Sequence, residues 1–154
     1  VAADPAKTAA FSATATGFSK RTATVSFEGA FCVNYYFTPS VAVDGSMTLY
    51  IWTPEDYAAA TTLTAENAIV VPMVAGADGR HFGQVEGIAA KSLDETYYVA
   101  GVYTDANGNT YCTGILPYSL GAYCGNQAAT NPLAAAIAVY GYYAVSYFAP
   151  ATAE

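Results

Sequence analysis

Tyr97-Tyr98-Val99-Ala100-Gly101-Val102-Tyr103, then Asp105-Ala106-Asn107-Gly108, then Thr110-Tyr111-Cys112-Thr113-Gly114-Ile115-Leu116 reads as two strands joined by a tight turn. Tyr, Val and Thr suit a pleated, half-buried surface, and Gly108 supplies the positive φ that such a turn needs. The same grammar recurs upstream. Residues 68–74 and 80–85 flank Gly76-Ala77-Asp78-Gly79 as a further hairpin, whose Pro72 belongs on a sheet edge because it has no N–H to donate. Ala23, Val25 and Phe27 alternate with Thr24, Ser26 and Glu28, and Phe31, Val33, Tyr35 and Phe37 resume the period of two after a bulge or turn at Gly29-Ala30. Met47-Thr48-Leu49-Tyr50-Ile51-Trp52 follows Asp44-Gly45 and sets Thr48, Tyr50 and Trp52 on one face. The total approaches seven strands.

Beyond Leu116 the period changes. Residues 117–124 read as a helix with Gly125 as its stop, and Asn131-Pro132 caps a longer helix running to about Phe148. On that helix Leu133, Ile137, Tyr140, Ala144 and Phe148 share one face, while Ala136, Val139, Tyr143 and Tyr147 make a second, so it is contacted from more than one side. Between the strands, Thr53-Pro54-Glu55-Asp56 carries a cap, a first-turn proline and first-turn acids, the start of a short helix ending near Ala60. Leu93-Asp94-Glu95-Thr96-Tyr97-Tyr98-Val99 resembles the Leu-x-x-x-Thr-x-Tyr crossing of immunoglobulin-like and fibronectin III sandwiches. The expected fold is therefore mainly β, an immunoglobulin- or fibronectin III-like β-sandwich followed by a C-terminal pair of α-helices. We expect one domain over 1–154, with 1–16 a linker or edge strand, 22–116 the sandwich and 117–148 a helical hairpin packed on it.

Composition narrows the function. Charged residues are 11 % of the chain, far below the usual quarter, which suits an extracellular or surface protein. A net charge of −7 with only five Lys and Arg leaves no basic stripe for nucleic acid or anionic lipid. From Ala106 to Ala153 there is no Asp, Glu, Lys or Arg, and seven of the 14 tyrosines lie in that stretch, which must be buried in the domain or against a partner. Residues 132–148 are about long enough to cross a bilayer, but Tyr140, Gly141, Tyr142, Tyr143 and Ser146 interrupt them, and a buried soluble helix is expected instead of a transmembrane segment. Val1-Ala2-Ala3-Asp4 lacks the basic and apolar regions of a signal peptide and reads as a mature chain or excised fragment.

Asn34-Tyr35-Tyr36-Phe37-Thr38, Trp52-Thr53-Pro54-Glu55-Asp56-Tyr57, the strings over 87–99 and 111–124, and Ala138-Val139-Tyr140-Gly141-Tyr142-Tyr143-Ala144-Val145-Ser146-Tyr147-Phe148 together resemble an accessory module of large secreted or cell-surface proteins of anaerobic Gram-positive bacteria. The resemblance spans roughly 22–148. It implies a non-catalytic role and carries over no catalytic motif.

The residues that carry chemistry agree with that implication. His81 is the only histidine, which rules out any multi-histidine metal site, and it is expected to decorate a strand. Glu55-Asp56 and Asp94-Glu95 are adjacent carboxylates pointing different ways, unlike a glycosidase pair. Asp105-Ala106-Asn107-Gly108-Asn109 lacks the terminal acid of an EF-hand and reads as a turn, and Ser119 has no nucleophile-elbow glycine before it. Cys32, Cys112 and Cys124 follow no zinc spacing; a fold-back at Pro117 allows a disulfide between Cys112 and Cys124, and Cys112 with Gln127 has the residue types of an internal thioester without its flanking motif. Tyr50, Trp52 and Tyr57 are the candidate sugar-stacking platform, weighed against burial of the lone Trp in the core.

Two expectations follow. The first is a secreted or cell-surface structural module, without enzymatic activity or cofactor, which associates with a protein partner or its own copies through Tyr140, Tyr143 and Tyr147. The second is a carbohydrate-binding adhesin module working through Tyr50, Trp52 and Tyr57.

Overall fold

The computed structural model describes residues 2–27 and 29–148, with only the backbone of Val145, Ser146 and Phe148. Its strands are β1 (Phe18–Phe27), β2 (Phe31–Pro39), β3 (Thr48–Trp52), β4 (Ile69–Pro72), β5 (Val74–Ala75), β6 (His81–Ile88), β7 (Tyr97–Thr104), β8 (Thr110–Cys112) and β9 (Leu116–Tyr118), with helices α1 (Pro54–Ala59), α2 (Leu120–Gln127) and α3 (Pro132–Phe148). One antiparallel sheet runs β1-β2-β6-β5 and the other β4-β3-β7-β8, with β9 also paired to β7. In the lettering of immunoglobulin domains these are A-B-E-D and C′-C-F-G, so the expected sandwich and its C-terminal helices are both present.

Alternation builds the core. Val33, Tyr35 and Phe37 from β2 and Val85 from β6 face Leu49 and Ile51 from β3 and Val99 and Tyr103 from β7. Phe37 fits because its partner across the core is Gly101: a Cβ there would stand 2.5 Å from the Phe37 ring. The expected hairpin over 68–85 is divided between the sheets. Met73 is buried, its N–H donates to the Met47 carbonyl at 2.8 Å, and the chain crosses there from β4 in one sheet to β5 in the other. Pro72 does lie on an edge strand.

The tail differs in detail from its reading. Pro117 continues an extended strand opposite Tyr98, α2 starts after the Ser119 cap, and Gly125 is inside the helix. A proline on an outer strand gives up no ladder bond that the sheet needs, so the pairing with β7 outcompetes an early helix start. Asn131 caps α3 as expected, its side-chain oxygen accepting from Leu133 and Ala134 N–H at 3.0 and 3.2 Å. Leu93 anchors both helices: its carbonyl accepts from Gly121 N–H at 2.7 Å and from the Ser119 hydroxyl at 3.2 Å, and its side chain lies against Gly141. A Cβ on Gly141 would sit 2.6 Å from Leu93 Cδ1, so only glycine lets α3 approach this closely.

Two phenols are buried where the helices close the core. The Tyr35 and Tyr118 hydroxyls have no hydrogen-bond partner among the described residues. Burial pushes both well above the ordinary 10.0, and each is raised further by a neighbouring phenol, Tyr118 for Tyr35 and Tyr123 for Tyr118. The folded state thus holds these protons more tightly than the unfolded one. Their contribution is complete below about pH 10 and is lost as pH climbs through the raised folded values. Urea melts are expected to be flat up to about pH 9 and to weaken steeply above about pH 10, and Tyr35→Phe is expected to shallow that slope. An unchanged slope in the variant would show the alkaline loss to come from elsewhere.

Candidate functional site

Tyr50, Trp52 and Tyr57 are brought together, but under a cover. Strand alternation sends Tyr50 and Trp52 to the outer face of their sheet, and Thr53 then caps α1 through a reciprocal pair with Asp56, which carries Tyr57 back over Tyr98. Trp52 is 0 % exposed, and its Nε1–H donates to Asn67 Oδ1 at 2.8 Å. Asn67 is held in turn by its capping box with Thr64. The Phe11 ring lies 4.8 Å from Trp52 and 5.2 Å from Tyr50. Tyr57 stacks on Tyr98 at 3.7 Å, its ring carries the Lys7 ammonium 4.8 Å away, and its hydroxyl accepts from Asp4 N–H. Residues 2–16 therefore form a third layer on this sheet, in place of the linker or edge strand expected for them. No ring face of Trp52 remains for a sugar.

The disulfide considered for Cys112 and Cys124 is not formed; Cys32, Cys112 and Cys124 are buried free thiols. Because Pro117 stays extended, Cys124 enters the main core from α2 while Cys112 joins Phe11, Trp52 and Leu63 on the outer side of the five-stranded sheet. Burial raises both thiol pKa values, which suppresses the reactive thiolate. A disulfide reagent at neutral pH is expected to react with the native thiols at least ~100-fold more slowly than in denaturant, where all three titrate. Rapid native reaction would contradict this burial.

Asp105 explains itself as turn chemistry. Its Oδ1 accepts from Asn107 and Asn109 N–H, both at 2.9 Å, and its Oδ2 from the Asn109 amide and the Tyr111 hydroxyl. The Asn109 side-chain bond leads the contacts that hold this carboxyl below its usual range. Among the described residues, no group of three His, Cys, Asp or Glu is placed to hold a metal ion, and no helix is long and apolar enough to cross a membrane.

The outer face of α3 is the feature without a structural explanation inside the domain. Ala134, Ile137, Gly141 and Ala144 form its buried stripe. Leu133 and Tyr140, grouped in the sequence with Ile137 and Ala144, are exposed instead, because the small residues let the helix axis approach the Leu93 turn and push the larger side chains to the rim. The side chain of Phe148 lies outside the described residues. Tyr140, Tyr143 and Tyr147 are 58 %, 67 % and 83 % exposed, with Leu133, Val139 and Tyr142 beside them. Apolar clefts flank the helix. One of about 360 Å³ lies along Leu93, Gly121 and Tyr142. Two of about 240 and 370 Å³ lie toward the β1–β2 hairpin, on either side of Phe27. Phe27, the last apolar residue of its alternating run, is 62 % exposed at the hairpin end, with its ring beside Phe31.

Fold and site together define an immunoglobulin-type sandwich closed by a helical hairpin whose outer helix is apolar and exposed. No family model and no curated protein matches the chain. Among solved structures it is similar to one described as "Crystal structure of Br derivative BhCBM56", at 15 % identity and a TM-score of 0.45, covering 67 % of this chain and 98 % of that one. A likeness of that size carries no argument about ligand or activity.

Proposed function

We propose that this chain is a non-catalytic structural module of a secreted or cell-surface protein, and that it associates with a protein partner, in the first instance a second copy of itself, through the outer face of α3. One observation carries the reading: a 17-residue helix without a charged side chain leaves Leu133, Val139, Tyr140, Tyr142 and Tyr143 in solvent. Contiguous exposed apolar side chains without intervening charge mark interaction surfaces, and tyrosine-rich, charge-depleted patches are typical of interface centres. The low charge content and the resemblance to accessory modules of Gram-positive surface proteins support the extracellular setting. Light scattering over a concentration series tests the reading. Discrete oligomers that dissociate on dilution are expected, and a strict monomer up to high concentration would sink self-association.

A further inference from the structure

The outer face of the four-stranded sheet is built differently from every other surface of the domain. Register sets Thr22, Tyr36, Phe82 and Val74 in one row across β1, β2, β6 and β5, and Thr24, Asn34 and Gln84 in the next row across β1, β2 and β6. Glu86 follows Gln84 on the same side of β6 by the strand period of two. On the opposite sheet, Trp52, Tyr98, Ala100 and Cys112 of the outer face are buried with Phe11. Here Thr24 and Glu86 are exposed, and Tyr36, Phe82 and Gln84 half-buried.

We propose that this face is a binding site for a neutral polysaccharide chain. The Tyr36 and Phe82 rings stand 5.3 Å apart at 41°, with the Arg80 guanidinium over Tyr36, itself held by Asp78. Such rings take the C–H faces of sugars. The amides beside them are already aimed: Gln84 Nε2 donates to Asn34 Oδ1 at 2.6 Å, and Asn34 Nδ2 to Ser26 Oγ at 3.0 Å. Fixing Gln84 by its nitrogen leaves its carbonyl oxygen, together with the Glu86 carboxylate, as acceptors for hydroxyls at little ordering cost. A cleft of about 450 Å³ continues the row over the sheet edge, lined by Ile69, Val74, Phe82, Gln84 and Glu86. It opens because β5 pairs only with His81 and Phe82, so the rest of β6 lacks a neighbour on that side.

The charge of the protein, −7, and Glu86 within the row select an uncharged ligand over a polyanion. A peptide strand added to the same edge fits less well: Gly87 has φ of +73° and Pro72 sits in the facing edge strand, both of which break a continuous ladder.

The test is native affinity electrophoresis of the full chain in gels cast with a soluble β-glucan, a xylan, a mannan or polygalacturonate. At least one neutral polysaccharide is expected to retard the protein, and polygalacturonate is not. Phe82→Ala and Gln84→Ala are each expected to weaken retardation about tenfold, while Asn107→Ala at the exposed β7–β8 turn leaves it unchanged. Gln84→Ala removes an amide from the outer face without opening the core, and it guards against Phe82→Ala failing to fold. No retardation by any neutral polysaccharide, or wild-type retardation of Gln84→Ala, overturns the proposal. A loss in Asn107→Ala equal to that in Gln84→Ala overturns it as well, because the binding then does not belong to this face.

Discussion

Trp52→Ala is expected to cost about 3–5 kcal/mol, a large share of the ~5–15 kcal/mol that holds a domain folded. The ring is wholly buried beneath Phe11, and its removal leaves a cavity that the flanking Tyr50, Leu63 and Tyr98 can fill only in part. It also removes one of the two N–H donors to the Asn67 side-chain oxygen, which keeps its bond from Thr64 N–H. Trp52→Phe keeps most of the volume and loses the bond, and should cost about 0.5–1.5 kcal/mol beyond the small volume change. Urea melts of the two variants measure this. If Trp52→Ala melts within about 1 kcal/mol of the parent, the N-terminal layer does not cover the sheet in solution, and the Tyr50, Trp52 and Tyr57 platform regains its place as a ligand site.

Charge on the outer face of α3 should act in the opposite way, leaving the fold alone and removing association. Tyr140→Glu with Tyr143→Glu replaces two mainly exposed phenols, so the melting of the monomer should move by no more than about 0.5 kcal/mol per site. In an interface the same carboxylates must lose water without a partner, because α3 carries no basic residue to receive them from a second copy. The association constant is expected to fall by about 100-fold or more, equivalent to ~2.7 kcal/mol. Light scattering of parent and variant at matched concentrations checks it. Equal oligomer populations would show that another surface carries any association. Ile137→Glu serves as the contrast: it buries a charge in the stripe that meets the core and should unfold the domain.

Strand existence was legible because an alternating pattern reports burial on one side of a local extended chain, and that pattern is strong in residues 23–27, 31–37 and 47–52. Caps were legible for a similar reason: Thr53 and Asn131 bond to N–H groups two or three residues away, so local sequence contains the whole interaction. The segment over 68–74 shows the limit. Its residues read as one strand, yet Met73 directs the two halves into different sheets, a choice made by the distant partners β3 and β6.

The row across the outer face of β2 and β6 escaped the sequence because Asn34, Tyr36, Phe82 and Gln84 are adjacent only through the β2–β6 register, across about fifty positions of chain. Tyr36 and Tyr35 are neighbours in sequence with opposite fates, one over the outer face and one in the core.

By itself the sequence determined that the strands precede a C-terminal pair of helices, where the Thr53 and Asn131 caps fall, and that the last third must present an uncharged surface to something. All of these follow from neighbours within a few residues or from composition. The tertiary structure alone decided which faces meet water. Phe11 covers Trp52 and Tyr50 on one sheet, Gly141 admits Leu93 and thereby turns the tyrosines of α3 outward, and Cys112 is separated from Cys124. Each of those outcomes depends on which layer arrives against which, a contact between segments far apart in the chain that no local periodicity encodes.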